Sequence, residues 1–154
     1  MIQILHAEAA MTAEMARIER ESFSHPWTAD SIRATIGSTG AFGLCVFAED
    51  GQMTACAVGT VLLGEGEILH IATHPLFRGR GYGEILLRSL LTEMQNNGAE
   101  TVFLEVREGN LPARRLYEKC GFILNGIRKR YYRDPVEDAV LMTKHLQTDE
   151  LNNH

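Results

Sequence analysis

The chain has 154 residues, 45% of them hydrophobic and 23% charged, with a formal net charge of -5. These values fit one globular domain that folds without metal or disulfide staples, and an acidic balance argues against DNA or general nucleic-acid binding, which needs a basic face. Cys45, Cys56 and Cys120 are odd in number and far apart, which excludes a disulfide framework or zinc site and predicts reduced, mostly core thiols. The N-terminus lacks a basic region and long apolar stretch, and no apolar run approaches the ~20 residues of a membrane span. A cytoplasmic protein without membrane contact is expected, its oligomeric state open and a monomer sufficient.

In chain order, Ile2 to His6 alternates as a strand does, and Thr12 to Phe23 carries Met11, Met15, Ile18 and Ser22 at helical spacing. Thr28 is an N-cap for a second helix through Ile36, ended by Gly37 and Gly40. Ala41 to Ala48 and Met53 to Leu63 are β-rich runs joined by Glu49-Asp50-Gly51-Gln52, a hairpin signal. Gly64-Glu65-Gly66 precedes a third strand, Glu67 to Thr73. Tyr82 to Asn96 is an amphipathic helix with Leu86, Leu87, Leu90, Leu91 and Met94 on one face. Thr101 to Val106 reads as a strand, Leu111 to Lys119 as a helix, and Phe122 to Tyr132 and Ala139 to His145 as closing strands. The order predicts an α/β (α+β) fold: a central mixed, mostly antiparallel sheet with helices on both faces. One domain over residues 1–146 is expected, followed by a polar, frayed tail at 147–154.

The sharpest local feature is Arg78-Gly79-Arg80-Gly81-Tyr82-Gly83, between a strand and an amphipathic helix. A helix start leaves backbone N–H groups unpaired and partly positive, and glycines let an anion approach them closely. A phosphate cradle follows, with Arg78 and Arg80 adding charge. The loop lacks the Gly-Lys-Ser/Thr ending of a P-loop and the spacing of a dinucleotide fingerprint. Taken alone it is equally compatible with a bare, solvated turn.

A second motif follows at a fixed distance: Asn110-Leu111-Pro112-Ala113-Arg114-Arg115-Leu116-Tyr117-Glu118-Lys119-Cys120-Gly121-Phe122. Asn110 suits an N-cap, Pro112 a first turn, and Ala113, Leu116 and Tyr117 share a face. With Arg78, Gly81 and Gly83 this pair resembles the two hallmarks of the GCN5-related N-acetyltransferase (GNAT) family. Phe23-Ser24-His25-Pro26-Trp27-Thr28, Leu104-Glu105-Val106-Arg107, and Arg128 to Tyr132 with Glu137-Asp138-Ala139 are similar to the RimI branch of that family. The resemblance implies a GNAT fold and acetyl transfer from acetyl-CoA, without metal, to a protein N-terminus, the N-terminal alanine of a small-subunit ribosomal protein. Where that branch often has Asn before Ile-Ala-Val, this chain has His70 before Ile71-Ala72-Thr73.

Acetyl transfer from a thioester needs a neutral amine, a stabilised oxyanion and a proton for the departing thiolate. Glu105 interrupts an apolar strand, where partial burial would raise its pKa, and is the candidate base; pairing with Arg107 or Lys129 is its structural alternative. Glu67 is the reserve base. Tyr117, core by spacing alone, is by resemblance the general acid. The resemblance also assigns Ile71, Ala72 and Thr73 to the pantetheine arm and thioester oxygen. The phosphate loop comprises Arg78, Gly79, Arg80, Gly81, Tyr82, Gly83 and Glu84, and Asn110 joins the cofactor contacts. Trp27, Tyr131 and Tyr132, with Glu67, are expected to wall the acceptor groove. His25, His70 and His74 match no common zinc motif. A small-molecule amine or internal lysine as acceptor, or a non-catalytic coenzyme A-binding or ribosome-docking domain using Arg128 to Arg133, are the rival readings.

Overall fold

A computed structural model describes residues 1–146; the expected frayed tail lies outside the described residues. The elements are β1 (Gln3–His6), α1 (Thr12–Ser22), α2 (Ala29–Ile36), β2 (Ala41–Phe47), β3 (Met53–Leu62) and β4 (Glu65–Thr73), then α3 (Tyr82–Asn96), β5 (Thr101–Arg107), α4 (Leu111–Lys119), β6 (Ile123–Tyr132) and β7 (Glu137–His145). Short 3₁₀ turns at Ala9–Met11 and Pro75–Phe77 lead into α1 and the Gly-rich loop. The predicted order of strands and helices is the observed one.

Among the described residues, the seven strands form one sheet in the order β1-β2-β3-β4-β5-β7-β6. Every neighbouring pair is antiparallel except β4 and β5. Helices cover both faces. On one, α3 and α4 bring Leu86, Leu87, Leu90, Met94 and Tyr117 onto Val102, Leu104 and Val106. On the other, α1 and α2 bring Met15, Ala16, Ile18 and Ile32 onto Cys45, Cys56, Val58 and Ala72. All three cysteines are buried, and burial pushes the Cys45 thiol up to about 12.

Several boundaries differ from the sequence expectation for local physical reasons. Leu63 and Gly64, at φ 51° and 80°, make the whole β3–β4 turn, so β4 starts at Glu65 and pairs with Leu62 at once. Gly66 therefore lies in the strand. A Cβ there would stand 3.0 Å from the Met94 sulfur and 3.1 Å from Val102, so glycine lets α3 rest directly on the sheet. The buried stripe of α1 is Thr12, Met15, Ala16, Ile18 and Glu19, with Met11 and Ser22 at its margins.

Two irregularities shape the centre. Val58 pairs with His70 but Gly59 pairs with Ile68, so Leu69 is an extra residue, a β-bulge in β4. The parallel pairing of β4 with β5 covers only Glu65↔Thr101, Gly66↔Val102 and Glu67↔Phe103. Beyond it β4 stays on β3 and β5 stays on β7. The sheet opens into a cleft between them.

Leu90, on the sheet-facing side of α3, is fully buried. Leu90→Ala is expected to lower the unfolding free energy by about 2–5 kcal/mol, the range for emptying a close-packed leucine site, measured by urea titration.

Candidate active site

The cleft contains two cavities. The first, about 750 Å³, lies among Trp27, Glu67, His70, Glu105, Tyr131 and Tyr132. The second, about 650 Å³, runs past Ile71, Ala72 and Thr73 to Gly79, Gly81, Gly83 and Glu84. Tyr117, Ile71 and Asn110 line both.

The second cavity ends on the start of α3. Its first intrahelical bond runs from the Ile85 N–H to the Gly81 carbonyl, leaving the N–H groups of Tyr82, Gly83 and Glu84 without a helical acceptor. Gly79 and Gly81 have φ of 76° and 87°, and a Cβ at either would meet nothing within 4 Å, so the turn is open above the helix start. A Cβ at Gly83 would lie 3.2 Å from Thr73 Oγ1, so glycine closes α3 against β4. The Arg78 guanidinium donates to the Thr73 carbonyl and to Ser22 Oγ, anchoring the loop to β4 and α1. Arg80 turns toward Phe77, its guanidinium 5.4 Å from the ring centre, and does not line the cavity. Glu84 is bonded to Lys119 and Arg88, which hold its carboxyl below the usual carboxylate range, Lys119 the more strongly. Asn110 caps α4 by accepting from the Ala113 N–H at 3.3 Å.

Tyr117 sits where the cavities meet, buried and edge-on to Phe122. Burial first, then the neighbouring Tyr132, pushes its phenol well above the ordinary range, so it keeps its proton at any physiological pH. Glu105 stands on the β5 wall of the first cavity. Its charged partner is Arg128, at 3.6 Å across the sheet, rather than the Arg107 or Lys129 considered from sequence; Lys129 pairs with Asp138. The Glu105 charge is the first cause of the raised Tyr131 phenol, with partial burial second. Tyr132 is pushed up to about 12, mainly by burial and then by Glu105. Register slips between Arg128 and Tyr132, which lets consecutive tyrosines face one cavity, their ring centres 5.1 Å apart.

Sequence reasoning missed the roof of this cavity. Arg107 donates to the Arg133 and Pro135 carbonyls, to Glu137 and to Ser24 Oγ, and its guanidinium lies 4.6 Å from the Tyr132 ring centre. His25 reaches Asp134 at 2.7 Å. The α1–α2 loop and the β6–β7 turn are thereby tied together over the cleft. The available signal was alternation: Arg107, two residues from Glu105, shares its face of β5. Among the described residues no group of three or more His, Cys, Asp or Glu is arranged to hold a metal ion, and no helix is long and apolar enough to cross a membrane.

A helix start open to an anion, a split between β4 and β5, and a phenol at their junction describe an acyl-CoA-dependent transferase cleft. Residues 12–122 match the model of the Acetyltransferase (GNAT) family, and the chain belongs to it. A relative from Haemophilus influenzae, a ribosomal protein bS18-alanine N-acetyltransferase, is 34% identical over 93% of this chain and 98% of its own. The crystal structure of the ribosomal-protein-S18-alanine N-acetyltransferase from Escherichia coli superposes with a TM-score of 0.87 at 31% identity, covering 96% of each chain. The fold is shared further with the NatC complex bound to Gag peptide and CoA, at TM-score 0.84 and 20% identity over 95% of this chain and 99% of that one.

A phenol held protonated by the fold also sets an alkaline stability limit. An unfolded tyrosine ionises near pH ~10, so above that pH the unfolded chain releases a proton that folded Tyr117 retains, and stability falls as pH rises. Buried Cys45 and Cys56 act in the same sense. Tyr117→Phe is expected to lose less stability than wild type between about pH 9.5 and 11, read from denaturant midpoints across that range.

Proposed function

We propose that a single domain over residues 1–146 acetylates the N-terminal amine of a protein in the cytoplasm, with the N-terminal alanine of a small-subunit ribosomal protein as acceptor. The observation that carries this reading is the meeting of two cavities at Tyr117, one ending on free helix N–H groups and the other on Glu105. The names of the Haemophilus and Escherichia relatives support the acceptor.

Acetyl-CoA supplies an acyl group activated as a thioester. The N–H groups of Tyr82, Gly83 and Glu84, with Arg78 beside them, suit its diphosphate. Past Glu67, β4 has no pairing with β5, so the backbone groups along Ile71, Ala72 and Thr73 that point away from β3, other than the Thr73 carbonyl that Arg78 occupies, are free to bond the pantetheine amides and polarise the thioester oxygen. Glu105 accepts a proton from the acceptor ammonium through water, and Tyr117 protonates the departing sulfur. Trp27, Glu67, Tyr131 and Tyr132 bound the space for the first residues of the acceptor. An N-terminal amine has a pKa near ~8 and a lysine near ~10.4, so at pH 7 freeing the lone pair costs roughly 1 kcal/mol for the first and 4–5 for the second. A single carboxylate acting through water is suited to the smaller task.

With an Ala-starting peptide, Glu105→Gln and Tyr117→Phe are each expected to lower kcat by about 10²–10⁴-fold. The same peptide with a blocked N-terminus and an internal lysine is expected to give no turnover; acetylation of that lysine would overturn the acceptor assignment. Gly81→Ala forces a side chain into a left-handed conformation costing about 1–2 kcal/mol, so calorimetry is expected to show roughly tenfold weaker coenzyme A binding.

A further inference from the structure

The bulge at Leu69 decides what His70 faces. Gly66 and Ile68 look toward α3, and strict alternation would send residue 70 the same way. The extra residue reverses the phase, so His70 lies opposite Val58 on the α1 face. There its Nδ1 meets Glu19 Oε1. The Trp27 ring lies against the imidazole with centres 3.9 Å apart, and Phe23 stands edge-on at 6.1 Å. The His70 side chain is 17% exposed and lines the first cavity.

Glu19 is the unexpected partner. Its side chain is 3% exposed, and Oε2 has no hydrogen-bond partner among the described residues. A buried carboxylate with an unmet oxygen is poor for stability, and an apolar residue of similar volume would serve the fold as well or better. An ionised carboxylate only accepts, so its bond fixes the proton on Nδ1 and leaves the Nε2 lone pair available. The other charged or titratable groups around the pair are Cys56 beside Glu19 and, lining the cavity, His25, Glu67, Glu105, Arg107, Tyr117, Tyr131, Tyr132 and Glu137.

The proposed reaction needs such a group. An N-terminal amine arrives as an ammonium with three protons, and the amide product keeps one. Two protons therefore leave the nitrogen, and Glu105 accounts for the first. We propose that His70, oriented by Glu19, accepts the second at Nε2 as the nitrogen–carbon bond forms. The carbon–sulfur bond breaks with its electron pair on sulfur, which takes the Tyr117 proton. The imidazolium returns its proton through water to the Tyr117 oxygen, and the proton held by Glu105 goes to solvent. One proton is released per amide, and Glu19, His70 and Tyr117 end as they began. His70 is then a catalytic residue on the β4 wall, and Glu19 a positioning residue acting through it. This inference rests on the acceptor reading above.

The test uses the full chain with an Ala-starting peptide. His70→Gln, which keeps polar size without basicity, is expected to lower kcat about 10²-fold, and Glu19→Gln about tenfold, with coenzyme A affinity by calorimetry unchanged in both. His70→Ala is expected to regain turnover when imidazole is added, which a packing role would not produce. Wild-type kcat in His70→Gln, or a His70→Ala variant that binds coenzyme A normally yet ignores imidazole, would overturn the proposal. Wild-type protein inactive on every amine would instead remove the acceptor reading itself.

Discussion

The structure depends on a parallel strand pair that ends early. β4 and β5 share three paired positions and then part, while each keeps its other neighbour. Backbone polar groups that leave a sheet must find other partners or water. Here the unpaired edge of β4 faces a groove that leads to the start of α3, where further N–H groups lack helical acceptors. One parting of strands thus produces both a groove and a strand edge of unpaired backbone groups along it. Closing the pair would satisfy the backbone and abolish the site.

The bulge at Leu69 belongs to the same arrangement. An inserted residue bends a strand and strengthens its twist, and this one lies just past the last pairing with β5. It also changes which side chains face which layer. Glu67 and Ile68 come before the change and His70 after it, so the β4 wall of the first cavity combines residues from both phases. Packing holds the result. Gly66 and Gly59 let α3 lie close over the paired half, with Met94 the nearest side chain to both, while α1 closes over the bulged half through Glu19.

The cavity is enclosed from above by contacts between distant segments. Arg107 gathers Ser24, Arg133, Pro135 and Glu137 around one guanidinium, whose planar set of donors suits several carbonyls at once. Charge in the cavity is uneven in consequence: Arg107 is occupied by the roof and Arg128 by Glu105, and the nearby phenols of Tyr131 and Tyr132 are held toward their neutral forms. Tyr117, the deepest of the tyrosines, owes its retained proton chiefly to burial.

The amino-acid order alone determined the elements, the Gly-rich loop before α3, and the capped and proline-led start of α4. These are local signals: a helix start, a cap and an amphipathic stripe are set by neighbours within a few positions. Tertiary structure decided the rest. The bulge at Leu69 has no mark of its own in an apolar run, the slip that turns both Tyr131 and Tyr132 inward contradicts simple alternation, and Glu105 found Arg128 rather than a nearer candidate. Glu19 sits four residues after Met15 on a buried stripe, but its partner is 51 positions away in sequence (70 minus 19) and faces it only because of the bulge. Periodicity tells which face a side chain takes within one element; only the packing of elements tells what stands opposite.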